Sequence, residues 1–255
     1  MRVIITGAAS GIGRALAEEL AEKEKPAALL LVGRNRAKLE ELANTLPNAH
    51  VCAEDLTDPA AAQRVVASAQ SKLGGIDAVV SNAGAIYAGA LATLSAEDFD
   101  KAFAINVRAT FLLAQAAYPA LKQSKGVLIA SGSLAGRNPS PNLGAYSASK
   151  AALAMLIAQL AAEWGPDGIR CNCVSPGTTV TAMNAAFYAD PKNRAARAAN
   201  IPLRRLGDPR DIARVIHFLL RPDAGFVSGV DLLVDGGANT MFMPLYLQGA
   251  TPSEG

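Results

Sequence analysis

Residues 3–22 read Val3-Ile-Ile-Thr-Gly-Ala-Ala-Ser-Gly-Ile-Gly-Arg-Ala-Leu-Ala-Glu-Glu-Leu-Ala-Glu22. The first four residues form an apolar run that predicts a buried strand. The residues from Arg14 onward have the apolar spacing of an amphipathic helix. Between them lies a turn of small residues with the pattern Gly-x-x-x-Gly-x-Gly. A strand, a glycine turn and a helix in this order predict the first unit of an α/β fold.

The glycine turn has two interpretations. Small residues let a backbone approach a pyrophosphate, and the amino terminus of a helix supplies N–H groups and the positive end of a dipole. A tight strand-to-helix turn that binds no ligand has the same composition. The pattern by itself does not separate the two.

The alternation of strand and helix continues along the chain. Further strands are predicted at residues 28–32, 50–53, 76–81, 126–130, 169–174 and 230–234, with helical sequence between most of them. No linker or change in composition divides the chain. We therefore expect a single-domain, Rossmann-type α/β fold over residues 1–240, with a doubly wound parallel sheet flanked by helices on both faces.

Two segments depart from the alternation. Residues from about 178 to 206 mix apolar side chains with arginines, and we interpret them as a substrate lid. The residues concerned are Met183, Phe187, Tyr188, Arg194, Arg197, Arg204 and Arg205. Residues 241–255 form a tail whose first part is apolar, which is typical of a segment that packs on its own domain or on a neighbouring subunit.

Polar or small residues follow most of the predicted strands. Apart from the glycine turn, they are Arg34, Asp55, Asn82, Ser133 and Thr178. Ligands of open parallel sheets bind beyond the carboxyl ends of the strands. We therefore expect these residues to face one crevice.

The segment after the fifth predicted strand carries candidate proton-transfer residues. Tyr146 and Lys150 are four residues apart in a helix-forming run of alanine and serine, so they would share one helix face. An ammonium group beside a phenol lowers the pKa of the phenol, which makes the tyrosine a usable proton donor and acceptor. Ser133 follows the strand, where its hydroxyl would hold a carbonyl oxygen. The alternative is a surface Tyr–Lys pair beside an ordinary loop serine.

Asn106 lies among apolar neighbours in a helical run predicted from residue 95 to residue 122. Buried polar groups need hydrogen-bond partners. We therefore expect Asn106 to be a bridge, either structural or functional.

The end of the second strand bears on cofactor choice. NAD enzymes of the doubly wound class usually carry an acidic residue there, which binds the ribose 2′-hydroxyl. This chain has Gly33, which leaves room, and Arg34, whose guanidinium can pair with a 2′-phosphate. The position favours NADP over NAD, with a solvent-facing arginine as the alternative.

Composition excludes several classes of function. The chain has 51% hydrophobic and 18% charged residues and a net charge of +2 without a basic tract, so nucleic-acid binding is not expected. No apolar run is long enough for a membrane span, and no signal peptide is expected. Three cysteines favour a reduced, cytoplasmic protein. The two histidines, His50 and His217, lack the flanking residues of a metal site or a Ser/His/Asp triad.

On these motifs the chain resembles the short-chain dehydrogenase/reductase family, in its short single-domain branch, over about residues 1–240. The motifs are Thr6-Gly-x-x-x-Gly-x-Gly13, Asn82-Ala-Gly84, Asn106, Ser133, Tyr146-x-x-x-Lys150, and Pro176-Gly177 with Thr181. The resemblance implies an enzyme that uses NAD(P)(H) to interconvert a carbonyl and a secondary alcohol by hydride transfer.

The resemblance also implies a role for each catalytic residue. Tyr146 is the general acid/base, and Lys150 lowers its pKa and holds the nicotinamide ribose. Ser133 orients the substrate oxygen, and Asn106 anchors a water that links Lys150 to solvent. Ser131, two residues before Ser133, is the less suitable serine.

The implied cofactor contacts come from the ends of most of the predicted strands and from the helix of Tyr146. Asp55 would contact adenine, Asn82 would lie near the adenosine ribose, and Thr181 would contact the nicotinamide or phosphate side. Family members that prefer NADP commonly carry a basic residue just before the second glycine, where this chain has Ser10. The full set is Gly7, Ser10, Gly11, Ile12, Gly13, Arg34, Asp55, Leu56, Asn82, Ala83, Gly84, Tyr146, Lys150, Pro176, Gly177, Thr178 and Thr181.

The resemblance leaves the substrate open. A 3-oxoacyl-carrier reductase, a dehydrogenase of cyclic diols or sugars and a broad ketone reductase all fit. The apolar lid residues suit an apolar substrate and the lid arginines an acidic one, and Arg137 either meets a carboxylate or is simply solvated. A non-catalytic NADP-binding sensor or regulatory protein is the alternative function, although such relatives usually lose the tyrosine or the lysine. A homotetramer or dimer is expected, because family members commonly form one.

Overall fold

A parallel sheet of seven strands organises the part of the chain that the computed structural model describes, residues 1–182 and 184–241. The strands are β1 (Arg2–Thr6), β2 (Ala28–Gly33), β3 (Ala49–Ala53), β4 (Ala78–Ser81), β5 (Val127–Ser131), β6 (Arg170–Pro176) and β7 (Asp231–Val234). Their order is β3-β2-β1-β4-β5-β6-β7, and every neighbouring pair is parallel. The strand bounds differ from the predicted ones by one or two residues.

The first strand shows why the sheet needs cover on both faces. Val3 and Ile5 project to one face and Ile4 to the other, and all three are fully buried. Successive side chains of a strand alternate between faces, so a strand that is apolar at every position must be covered on both. Each face therefore carries its own apolar core.

Two sets of helices supply that cover. The face of Val3 is packed by α1 (Gly11–Lys23), α2 (Arg36–Ala43) and α9 (Pro209–Leu220). The face of Ile4 is packed by α3 (Ala61–Leu73), α5 (Ala109–Ser124) and α6 (Tyr146–Trp164). The predicted fold class, a Rossmann-type doubly wound parallel sheet flanked by helices on both faces, is confirmed.

Local chemistry fixes several helix ends. Gly74 ends α3 in the left-handed conformation, which only glycine adopts without strain. Asp208 caps α9 through a capping box with Asp211. Ser95 begins α4 (Ala96–Phe103) and accepts a hydrogen bond from Asp98 N at 3.1 Å.

The helical run predicted from residue 95 to residue 122 is interrupted. A π-helical turn, Ala104–Arg108, separates α4 from α5 and contains Asn106. A π turn holds one more residue per turn than an α-helix, and such turns often occur at functional sites. The prediction of one uninterrupted helix was wrong because apolar periodicity does not register a single extra residue.

The predicted lid contains two helices, α7 (Ala185–Tyr188) and α8 (Pro191–Ala199). Of the residues singled out in the lid, Met183 lies outside the described residues. The tail residues Phe242, Met243, Leu245 and Tyr246 lie outside them as well. Across the ranges that are described, no helix is both long and apolar enough to cross a membrane.

The turn between β1 and α1 depends on close backbone packing. Gly7 and Gly11 have φ angles of 65° and 56°, in the region that favours glycine. A Cβ atom at Gly13 would overlap the Gly7 carbonyl oxygen and lie 2.8 Å from Asn82 Nδ2. The third glycine therefore lets the first turn of α1 press against the loop after β1 and the loop after β4.

We expect Gly13→Ala to lower the free energy of unfolding by about 1–3 kcal/mol, because the added methyl group forces the backbone apart. Urea denaturation of the ligand-free protein measures this. Gly33→Ala is the matched control, since a Cβ there comes no closer than 3.8 Å to Leu39. The control should change stability by less than about 0.5 kcal/mol. Equal stability of the two variants would show that the turn is not tightly packed.

Candidate active site

A cleft of about 970 Å³ opens at the carboxyl ends of the strands. Its walls come from the loops after β1 to β6 and from α7 and α8. Of the predicted site residues, only Gly13 and Asn106 do not line it. Those that do are Gly7, Ser10, Gly11, Ile12, Arg34, Asp55, Leu56, Asn82, Ala83, Gly84, Ser133, Tyr146, Lys150, Pro176, Gly177, Thr178 and Thr181. The parallel topology thus brings residues 170 positions apart into one space.

The amino terminus of α1 points its backbone into this cleft. Ser10 stands at the capping position in extended conformation, but its side chain makes no capping hydrogen bond. The first turn of the helix also contains no acidic residue. The first N–H groups of a helix have no partner within the helix, so they are available to an anion. Together with the close approach that Gly7 and Gly13 permit, this fits the pyrophosphate of a dinucleotide.

Two cations line the cleft beyond β2. Arg34 was predicted and lies just before the cap of α2, and Lys38 follows in the first turn of that helix. Arg36, between them, instead pairs with Glu40 at 3.5 Å and does not line the cleft. The i, i+4 spacing of Arg34 and Lys38 was visible in the sequence, and sequence reasoning missed it.

Asp55 lies on the neighbouring wall, after β3. Its Oδ1 accepts hydrogen bonds from Thr57 N at 3.0 Å and from Thr57 Oγ1 at 2.8 Å. These hydrogen bonds lower the pKa of the Asp55 carboxyl. The carboxylate is thus held ionised at the rim of the cleft.

A chain of hydrogen bonds ties together the ends of β1, β4 and β5. Thr6 Oγ1 accepts hydrogen bonds from the backbone N–H groups of Asn82 and Ala83 at 2.9 and 3.0 Å. Ser131 Oγ donates to Asn82 Oδ1 at 2.9 Å. Lys150 Nζ in turn donates to the Ser131 carbonyl oxygen at 2.7 Å. The hydroxyl of Ser131 is therefore occupied by Asn82.

Ser133 has a different environment, inside the cleft. It caps the 3₁₀ turn Leu134–Gly136, and its Oγ accepts a hydrogen bond from Ala135 N at 3.1 Å. The turn orients the hydroxyl toward Tyr146, the first residue of α6. The two side chains that the sequence places thirteen residues apart are thus neighbours.

Tyr146 and Lys150 share a face of α6. Lys150 is 4% exposed, and its Nζ lies 5.8 Å from the centre of the Tyr146 ring. Burial lowers the pKa of Lys150 to about 8, because the interior disfavours its charged form. Both side chains line the cleft, so their protons are accessible to a ligand.

The pKa of Tyr146 departs from the predicted direction. The sequence predicts that Lys150 lowers it, whereas burial raises the pKa of Tyr146 here and the Ser133 hydroxyl offsets the rise only in part. The reason is that the Lys150 ammonium binds the Ser131 carbonyl oxygen and not the phenol. Burial of the phenol is then the larger effect.

Asn106 is a buried bridge, 1% exposed. Its Nδ2 donates to Ala85 O and to Ser149 Oγ at 3.0 Å each, and its Oδ1 accepts from Ala85 N at 3.0 Å. It therefore joins the loop after β4 to α6, between Tyr146 and Lys150. A Cβ at Gly84 would lie 2.9 Å from Asn106 Oδ1 and 3.4 Å from Lys150 Nζ. Glycine at that position leaves the space between the two side chains open.

Arg137 does not line the cleft. Its Nε donates to Asp231 Oδ2 at 2.8 Å, and Ser175 donates to the other carboxylate oxygen. Of the two interpretations left open for Arg137, a carboxylate contact near the site and simple solvation, the structure shows a carboxylate contact, but with Asp231 of the chain itself and outside the cleft. The guanidinium instead fastens the loop after Ser133 to the start of β7.

The wall also contains apolar residues, of which Ile86, Tyr87 and Leu143 carried no sequence signal and Phe187 and Tyr188 belong to the predicted lid. Ile86, Tyr87 and Leu143 line the cleft from loops without a regular pattern. Phe187 and Tyr188 of α7 line it too, with their rings edge to face at 5.1 Å between centroids. Within the described residues, no group of three or more His, Cys, Asp or Glu side chains could hold a metal ion.

Comparison with known proteins agrees with this architecture. Residues 7–239 match the sequence profile of a family described as Enoyl-(Acyl carrier protein) reductase. Glucose 1-dehydrogenase of Gluconobacter oxydans is 34% identical over 243 residues, which cover 92% of this chain and 91% of that protein. 2-(S)-hydroxypropyl-CoM dehydrogenase 3 of Xanthobacter autotrophicus is 35% identical over 244 residues, with 92% and 95% covered. The crystal structure of gox2181 superposes with a TM-score of 0.87 at 30% identity, over 93% of this chain and 95% of that one.

These similarities extend over nearly the whole length of each protein, and the sheet carries the cleft at the edge where the sequence motifs meet. The chain belongs to the short-chain dehydrogenase/reductase family: it is an oxidoreductase that acts on CH–OH groups, and members of its family bind NAD(P)(H).

Proposed function

We propose that the protein interconverts a ketone and a secondary alcohol with NADP(H), and that Tyr146 is the general acid/base. The observation that carries this proposal is the meeting of Tyr146, Lys150 and Ser133 in the same cleft as the glycine turn. When bound, a nicotinamide cofactor supplies or accepts the hydride at the carbon that bears the oxygen.

The side chains of this chain would manage the proton. In reduction, Tyr146 Oη donates its proton to the carbonyl oxygen as that oxygen gains negative charge, and in oxidation it removes the proton from the alcohol. The raised pKa of Tyr146 keeps the phenol protonated at neutral pH, which suits the reductive direction. Ser133 Oγ donates a hydrogen bond to the same oxygen and fixes its position.

Lys150 and Asn106 would support this acid. Lys150 is protonated below about pH 8 and lies beneath the tyrosine, where it holds the nicotinamide ribose and replaces the proton that Tyr146 gives up. Asn106 holds the loop after β4 against α6 by three hydrogen bonds, so Lys150 keeps its position. A water beside Asn106, in the space that Gly84 leaves open, would complete the path to solvent.

The proposed preference for NADP is supported by the charges beyond β2. Arg34 and Lys38 both line the cleft, and the wall there lacks the acidic residue that would bind a ribose 2′-hydroxyl and repel a 2′-phosphate. Within the described residues, neither cation pairs with a carboxylate. Two free cations on one wall are complementary to a phosphate group.

The substrate class of the relatives is broad, since their names include a glucose dehydrogenase and a hydroxypropyl-CoM dehydrogenase. The cleft wall, which has both apolar residues and the cation Arg197, is compatible with each candidate: an acyl-carrier 3-ketone, a cyclic diol or sugar, or a simple ketone. A non-catalytic NADP sensor stays the alternative function. Cytoplasmic location and assembly into a homotetramer or dimer remain predictions.

Replacing the acid tests the function. We expect Tyr146→Phe to lower kcat by about 10²- to 10⁴-fold, because the proton donor is lost while the ring remains. Absorbance of the reduced nicotinamide follows turnover on a panel of acyl thioesters, cyclic ketones, sugars and keto acids. Fluorescence titration should show that cofactor affinity is unchanged within a few-fold. Full turnover by the variant would assign the acid elsewhere, and tight cofactor binding without turnover by the native protein would favour the sensor.

Reversing one charge tests the cofactor. Arg34→Asp should raise the Kd of NADPH roughly 10- to 100-fold and leave NADH binding unchanged or improved, because a carboxylate repels the 2′-phosphate. Arg36→Asp is the matched control, since Arg36 is two residues away, equally basic and outside the cleft. If both variants keep the native ratio of the two dissociation constants, the proposed NADP preference is wrong.

The buried lysine gives a pH dependence with a defined sign. Lys150 has a pKa of about 8 in the fold against an ordinary 10.5, so between these pH values the unfolded chain binds more protons. The free energy of unfolding should therefore rise with pH in this window, by at most about 1.4 kcal/mol per pH unit. Urea denaturation at pH 7 to 10 would measure the native protein against Lys150→Met, which has no titrating group. A difference between them that stays constant from pH 7 to 10 would mean that Lys150 titrates normally.

A further inference from the structure

Arg197 differs from the other arginines of residues 178–206. It projects from α8 and lines the cleft. Arg205 pairs with Asp211 at 2.6 Å, and Arg204 donates a hydrogen bond to the Ala199 carbonyl oxygen. Arg194, one turn before Arg197 on the same helix, does not line the cleft. Among these four cations, Arg197 is thus the one placed to meet a ligand.

The position of α8 places Arg197 at the end of the cleft opposite Arg34 and Asp55. The segment after this helix packs on the turn that follows β7, where Leu203 N donates to Gly236 O at 3.2 Å and Pro202 contacts Gly237. Arg34 and Asp55 stand beyond β2 and β3, at the opposite edge of the sheet. Arg197 therefore extends from the edge remote from the adenosine-side residues.

The charges of the cleft are divided between its two ends. Of the described residues that line it, the acidic ones are Glu54 and Asp55, and both follow β3. Glu54 is already paired with Arg64 at 2.7 Å. The other end has two cations, Lys150 and Arg197, and no carboxylate lies within salt-bridge distance of Arg197 in the described ranges. Lys150 is buried and already hydrogen-bonded to Ser131 O, so Arg197 is the exposed cation of this end.

Apolar side chains also line the cleft that Arg197 enters. Ile86 and Leu143 face the cleft with Tyr87, Phe187 and Tyr188. Arg197 is itself exposed, so a ligand that packs on these walls would shield its ion pair with the guanidinium from water and strengthen it. Arginine presents a planar fork of donors that matches the oxygens of a carboxylate, sulfonate or phosphate.

We propose that Arg197 binds an anionic group of the substrate, so that the substrate class is an alcohol or ketone with an apolar body and a carboxylate, sulfonate or phosphate at its other end. The inference rests on the proposed function, because it assumes that the ketone lies at Tyr146. It adds a specificity residue that acts on binding and leaves the proton transfer unchanged.

Matched probes separate the charge from the shape. The probes are 4-acetylbenzoate, 4-acetylbenzenesulfonate and the neutral methyl 4-acetylbenzoate. Each is titrated by calorimetry into the Tyr146→Phe protein saturated with NADPH. The Tyr146→Phe substitution prevents turnover during the titration. We expect the anions to bind roughly 10- to 100-fold more tightly than the ester. Arg197→Gln should remove this difference and Arg197→Lys should restore part of it. Arg194→Gln, the control on the same helix, should leave it unchanged.

The outcomes distinguish the inference from the function on which it rests. Charge-selective binding that depends on Arg197 supports the inference, and reduction of the same probes by the protein with Tyr146 intact tests the function separately. Equal binding of acid and ester, no measurable binding of either anion, or an equal effect of Arg194→Gln would overturn the inference. An Arg197→Gln variant that loses NADPH affinity as much as probe affinity would also overturn it, because Arg197 would then contact the cofactor.

Discussion

The hydrogen-bond chain from Thr6 through Asn82 and Ser131 to Lys150 holds the site together. It joins the ends of three adjacent strands, β1, β4 and β5, to Lys150 of α6. The same Asn82 packs against Gly13, so the glycine turn and the catalytic helix have a common support. Neutral side chains make most of these bonds, and every buried side-chain nitrogen and oxygen of the described residues has at least one partner, which keeps the cost of burying them low. A change at Asn82 would therefore disturb both ends of the cleft.

Burial sets the electrostatics of this arrangement. Burial raises the pKa of Tyr146 and lowers the pKa of Lys150. Both changes favour the neutral form of the side chain. Burial moves the two pKa values apart, so the Lys150 ammonium, with a pKa of about 8, becomes a stronger acid than the Tyr146 phenol and can return a proton to its phenolate. A ligand that excludes more water or adds charge would alter both groups together. The site is thus sensitive to what occupies the cleft.

Sequence reasoning reached the fold because its determinants are local. Strands that are apolar at every position, a glycine that ends α3 and an aspartate that caps α9 each act within a few residues. It failed where a partner lies far along the chain, as for Arg137, whose carboxylate partner is 94 residues away. It also failed where a quantity depends on packing: the direction of the Tyr146 pKa follows from burial, which a motif does not reveal. Lys38 was missed for another reason: it is visible in the sequence four residues after Arg34, but it belongs to no motif.

The π-helical turn at Ala104–Arg108 limits how the length of this chain can vary. Beyond it, Thr110 meets Ser81 through hydroxyl groups 2.8 Å apart, and Leu113 is buried in the core. Each residue advances a helix by about a quarter of a turn, so losing one residue here would rotate both side chains off their partners. Surface loops absorb insertions and deletions readily, whereas this segment has a fixed residue count. Insertions and deletions in related chains should therefore occur outside this segment, although single amino acids within it can be substituted.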